Sequence, residues 1–263
     1  MTLDPSLALD LTARIAAFGS LVSTLELLAV QREFGPAGVF NRDAVAALSW
    51  RGGQNFARID PLIVFVLVVQ AVSSAALAVL GPFAIAGRLA TAVCVGARAI
   101  GRWRRLLGGD GAEQITSLAL IAVALAVLPV PGPARVRLAV AFIAGQLLLS
   151  YVTAGIAKLL SPAWRGGTAL SEIAATETHG HPLALGVLRR APRVELLLCW
   201  TIIVFECLIP ALVLGPVWLA VPALAIGLAF HIGCAVTMGL NSFLWAFPAT
   251  YPCVLAVRGW LWP

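Results

Sequence analysis

Apolar residues fill long, almost uninterrupted stretches of this chain, and short connections rich in Gly, Pro and Arg separate them. Each run is about 20 residues long, the length an α-helix needs to cross the hydrocarbon core of a bilayer. The runs lack the strict period of two that a transmembrane β-strand would show. The pattern predicts helices spanning about 11–30, 61–80, 83–101, 113–129, 135–160, 194–214, 217–239 and 242–257. Gly81-Pro82 breaks the second from the third, and PVPGP ends the fourth. Residues 31–60 form a polar connection with Gly35, Pro36, Gly52 and Gly53, in which 44–50 reads as a short interfacial helix anchored by Trp50. RWRR at 102–105 and GGDG at 108–111 read as a loop, and 161–193 as a long polar segment.

Composition agrees with this pattern. Hydrophobic residues make up 60% of the 263 residues, charged residues 11%, and the mean hydropathy is +0.96. The expected fold is all-α, a polytopic, multi-pass transmembrane bundle of about eight spans in one domain, 1–263. The first apolar run has no cleavage-site pattern and is not a removable signal peptide. With eight spans, the arginines of the first, third and fifth connections place those connections in the cytoplasm and both termini outside. The net charge of +6 implies contact with anionic lipid headgroups, not nucleic acid. Cys94, Cys199, Cys207, Cys234 and Cys253 lie in apolar runs without metal-ligand spacing and read as small core residues. No P-loop, dinucleotide fingerprint, nucleophile elbow or zincin motif is present. His179 and His181 form an HxH with no third ligand nearby, so no metal site is expected.

One residue changes the picture from bundle to chemistry. Lys158 is the only lysine, and the other seventeen cationic side chains are arginine. Two readings fit. A lysine at a helix end can snorkel to the membrane surface. Alternatively, the position needs an amine that can be neutral, which arginine cannot provide. Helical spacing puts Leu147, Tyr151, Ala154 and Gly155 within about 60° of Lys158 on one face, while Gln146 points elsewhere. Ala154 and Gly155 leave room there for a flat molecule or for a second helix. Trp164 falls at the membrane boundary, and Arg165 with Gly166 and Gly167 can bind an anionic group or form a plain turn.

The stretch 146–167 carries Gln146, Tyr151, Gly155, Lys158, Leu159, Trp164 and Gly167 in the pattern Q-x4-Y-x3-G-x2-K-L-x4-W-x-x-G. In this it resembles the integral membrane family that includes vitamin K-dependent γ-glutamyl carboxylase, whose bacterial members are called horizontally transferred transmembrane (HTTM) domain proteins. GGDGAEQI at 108–115, Glu206 with Pro210, and the mid-span His231 resemble the family more softly. The resemblance implies that Lys158 is the base that deprotonates a reduced vitamin K-type quinone such as menaquinol. It implies O2 as co-substrate, and modification of a peptide, CO2-dependent carboxylation included. It further implies catalytic roles for His231 and Glu206 beside Lys158. Tyr151, Gly155, Trp164, Arg165 and Gln146 are then the quinone- and substrate-binding set. The large lumenal region of the animal enzyme has no counterpart in these 263 residues.

Other polar residues set further expectations. An ionisable group in an apolar run is costly unless paired, so Glu206 is expected to pair with His231, Arg14 or Lys158. Arg14 and Glu26 read as packing partners within the bundle. Two other functions fit the sequence. One is a non-catalytic maturation or immunity partner for a secreted peptide. The other is a small proton-coupled transporter, against which the chain shows no inverted repeat.

Overall fold

The computed structural model describes residues 3–35, 37–38, 41, 62–105 and 109–262, and among them there is helix and turn but no strand. The interfacial helix expected at 44–50 lies outside the described residues. The chain packs as two compact units, Pro5–Ala139 and mainly Val140–Pro263.

The first unit contains α1 (Pro5–Ala29), a 3-10 turn (Gln31–Phe34), α2 (Ile63–Leu80), α3 (Ile85–Arg105) and α4 (Gly111–Val127). The buried face of α1 is made of small residues, with Ala13, Ala16, Ala17, Ser20 and Thr24 at helical spacing. Such faces let backbones approach closely, and polar side chains then bond across the interface. Gln70 Nε2 donates to Thr24 Oγ1 at 2.8 Å, and Ser74 Oγ to Ser20 Oγ at 3.2 Å. Phe34 of the 3-10 turn packs on Ile63 and Leu67. Arg14 pairs with Asp10 at 2.7 Å and donates to the carbonyls of Ala78 and Val79, the last turn of α2. Gly81 follows with φ +70, and a Cβ there would run into Asp10 and Arg14.

The second unit holds the rest of α5 (Pro133–Leu160), within which the boundary falls. It continues with α6 (Pro162–Gly166), α7 (Ala169–Ala174), α8 (Pro182–Arg190), α9 (Pro192–Val213) and α10 (Val217–Met238). It ends with α11 (Asn241–Ala246), a 3-10 turn (Pro248–Thr250) and α12 (Tyr251–Leu261). Arg258 Nε and Trp262 Nε1 donate to the carbonyls of Gly215 and Leu214, tying the last helix to the α9–α10 turn.

Among the described residues, five helices are long and apolar enough to cross a membrane: Pro5–Ala29, Ile63–Leu80, Pro133–Leu160, Pro192–Val213 and Val217–Met238. The expected count of about eight is not reproduced, and each difference has a local cause. The helix α3 is longer than expected: it runs on through RWRR, which read as loop, and five arginines from Arg88 to Arg105 make it too polar for a span by composition. The helix α4 is apolar but only 17 residues long. The run 242–257 is broken into α11, a turn and α12, with Pro248 and Pro252 at the break. The polar segment 161–193 contains three short helices, α6 to α8, where a long polar segment was expected. Ser161-Pro162 starts α6, left-handed Gly167 (φ 76) ends it, and His181 Nδ1 caps α8 by accepting from the Ala184 amide.

Candidate functional site

Lys158 lies in the last turn of α5, and Glu206 is on α9, 3% exposed. The ammonium donates to both carboxylate oxygens, at 2.9 Å to Oε1 and 2.7 Å to Oε2. Gly155 explains how they meet. It sits one turn before Lys158, and a Cβ there would lie 2.8 Å from Cys207 Sγ and 2.9 Å from its backbone nitrogen. With hydrogen in that place, α9 approaches α5 closely enough to bring Glu206 to the amine. The chain then turns at Ser161-Pro162 and carries Trp164 back, its ring centroid 5.1 Å from Nζ. A cation over an indole face is held by the ring quadrupole, more strongly where water is scarce.

A second polar pair lies in the same unit. The Tyr151 hydroxyl and His231 Nε2 are hydrogen-bonded at 2.7 Å, and both residues are buried. The imidazole stacks on Phe247 at 4.3 Å, and Tyr151 meets Phe247 and Phe205 edge-on at 5.5 and 6.0 Å. His231 Nδ1 is buried with no partner among the described residues. Gly227, one turn before His231, makes room for both tyrosines of the chain. A Cβ there would sit 2.8 Å from the Tyr251 hydroxyl and 3.1 Å from the Tyr151 hydroxyl.

Both pairs open on one cavity of about 470 Å³, lined by Tyr151, Lys158, Trp164, Glu206 and His231 with Phe230, Phe243 and Phe247. That volume falls in the ordinary range for small-molecule sites, and the wall is apolar with a few convergent polar groups. Glu206 is thus paired with Lys158, and not with Arg14 or His231. Three residues of the expected binding set are elsewhere. Gln146 is not part of the cavity wall: it is five positions before Tyr151 and so on another helix face. Gly155 is filled by the approach of α9 and contacts helix, not cavity. Arg165 is exposed on α6 and does not line the cavity. His181 is occupied as a cap, and His179 Nδ1 meets the Met238 carbonyl at 3.3 Å. Among the described residues no group of three or more His, Cys, Asp or Glu could hold a metal ion.

Sequence reasoning missed Phe243, Phe247 and Tyr251. The last left a usable signal. The chain has eleven Phe and only two Tyr, so each hydroxyl needs a reason, and both are found at Gly227. No protein-family model matches this sequence, and neither curated proteins nor solved structures yield a match.

The arrangement permits one kind of chemistry in particular. Two opposite charges buried together are tolerable only when paired and hydrogen-bonded. Moving one proton from Nζ to a Glu206 oxygen turns the ion pair into an amine and a carboxylic acid without changing the net charge. An arginine at 158 could not take part, since it keeps its proton. The site also fits a reduced quinone. Its aromatic walls suit a flat ring, and Lys158, Glu206 and Tyr151 offer polar partners to ring hydroxyls.

Proposed function

We propose that this chain is an integral membrane enzyme, resident in a bacterial inner membrane, that binds a reduced vitamin K-type quinone in this cavity and removes a proton from it. The observation that carries the reading is the Lys158–Glu206 pair on the wall of an aromatic cavity. A bound quinol supplies reducing power toward O2, and by the resemblance noted above that chemistry drives modification of a secreted peptide, CO2-dependent carboxylation included.

The residues have separate tasks. Lys158 Nζ, neutral once its proton has passed to Glu206, accepts a proton from an acidic hydroxyl held in the cavity. Glu206 stores the displaced proton, so the pair ends with one proton more and a net charge of +1, which the deprotonated hydroxyl in the cavity balances. The Tyr151–His231 pair holds the second polar end of the ligand through the Tyr151 hydroxyl. Trp164, Phe243 and Phe247 line the cavity and shield the reacting groups from water.

Two measurements on the protein purified in nanodiscs test this. Mass spectrometry of the lipid extract should find a co-purified quinone, retained by Tyr151-containing protein. Addition of menaquinol should start oxygen uptake in the wild type and not in Lys158→Ala. If the wild type neither retains a quinone nor consumes oxygen with menaquinol, the reading is wrong.

A further inference from the structure

The second unit holds a space beside the cavity that the proposed reaction does not use. It is a groove of about 470 Å³ between α7, α8 and the end of α10, with Leu198 of α9 in its wall. Two hydrogen bonds set its walls. The Ala174 carbonyl accepts from the His181 amide at 3.1 Å, which turns α8 against α7. The buried Glu195 carboxylate accepts from the Ser171 amide at 2.7 Å and ties α7 to the first turn of α9. Leu170, Ile173, Thr237 and Met238 line this groove and the aromatic cavity alike, so the two adjoin.

The wall suits hydrocarbon. Among its described residues there is no carboxylate, ammonium or guanidinium. Its three polar side chains already have partners. Thr237 Oγ1 donates to the Gly233 carbonyl at 2.7 Å, His181 Nδ1 accepts from the Ala184 amide, and His179 Nδ1 meets the Met238 carbonyl. The rest is aliphatic, with the Met238 thioether. A peptide backbone laid here would lose the hydration of its N–H and C=O groups and find few partners, whereas a hydrocarbon chain has no such groups to satisfy. The outer lip is formed by Leu183, Val187 and Val236, which are 77%, 64% and 72% exposed. Val236 lies on a helix of span length, so the lip suits contact with lipid chains.

We propose that the groove takes the long hydrocarbon tail of the ligand whose ring occupies the cavity, the tail passing Ile173 and Thr237 and leaving at Leu183 and Val187. A ring held beside Lys158 has to send such a chain out of the cavity, and this adjoining space matches it. The inference rests on the quinol reading and narrows it: the substrate is a quinol with a polyprenyl or similar chain, and a tail-less quinol uses the ring site alone.

The experiment uses the full chain in nanodiscs and compares menaquinol, which has a polyprenyl tail, with menadiol, which has none. The readout is the ratio of their kcat/KM values for oxygen uptake. Ala184→Trp fills the groove from α8 and adds nothing to the cavity wall. It should lower the menaquinol-to-menadiol ratio at least about tenfold, the scale of an overpacked site. An unchanged ratio overturns the proposal. In a second arm the wild type is irradiated with a short-chain menaquinol analogue carrying a diazirine on its tail. Label should fall on α8 or on 236–238, and added menaquinol should compete it away. Label elsewhere overturns the proposal. So does groove label from a phospholipid with a diazirine on its acyl chain that menaquinol does not displace, which assigns the groove to a bilayer lipid. This arm decides should Ala184→Trp fail to fold. Oxygen uptake with neither quinol in the wild type sinks the proton-removal reading instead, and the labelling arm then still decides whether the groove holds a tail.

Discussion

Arg98 in the first unit and Lys158 in the second are both cations drawn into apolar helices, yet they are held in opposite ways. Arg98 is bonded to two serine hydroxyls and a backbone carbonyl. None of these can take its proton, and arginine would not release it. Lys158 is held by both oxygens of one carboxylate and covered by one indole ring. Its partner is a base, so the proton has two places to sit. On the function proposed above, the first centre fixes a charge and the second passes a proton on, which is that reading's reason for one lysine among seventeen arginines.

Exchanging the two cation types probes the comparison most severely. Lys158→Arg should reduce menaquinol-dependent oxygen uptake by at least about 100-fold, the usual scale for a lost general base. Arg98→Lys should leave uptake within about threefold, because no proton is asked of that residue, and should lower stability instead. Glu206→Gln comes next. It strands the ammonium, and unfolding should become easier by about 3 kcal/mol, the scale for breaking a buried pair. Adding Lys158→Met to it should recover most of that stability and none of the activity, measured by denaturant titration and oxygen uptake. Gly155→Ala should cost about 1–3 kcal/mol and lower activity with it, since the methyl must displace Cys207 and with it Glu206. Gly145→Ala on the same helix meets open space and should change stability by less than about 0.5 kcal/mol. Tyr251→Phe should have the smallest effect on turnover. A few-fold fall, against a larger one for Tyr151→Phe, would place Tyr251 behind Tyr151 and not against the ligand.

Much of this was legible in the sequence because the signals are local. Apolar runs of bilayer length gave the helical class, and five of them stand as helices capable of spanning. The lone lysine, Tyr151 on its face, and the ionisable groups in later runs gave Lys158, Glu206 and His231, which the structure places around one cavity. What failed was tertiary. Whether Gly155 faces a ligand or a helix depends on where α9 passes, and spacing along α5 contains no such information. Gln146 was included for its place in the motif although its helix phase already pointed away. Trp164 and Arg165 are adjacent, but the Pro162 turn carries only the tryptophan back over the amine. The expected spans that do not stand as long apolar helices are those where arginines sit on a helix, where a helix is short, and where prolines divide an apolar run.

The central claim is that the Lys158–Glu206 pair takes up a proton from the ligand and that Glu206 carries it. Infrared difference spectroscopy on adding menaquinol under anaerobic conditions reads this directly. The account predicts a protonated-carboxyl band on binding that is present in the wild type and absent in Glu206→Gln and Lys158→Arg. A quinol that binds with no carboxyl band, or a band that persists in Glu206→Gln, would contradict it.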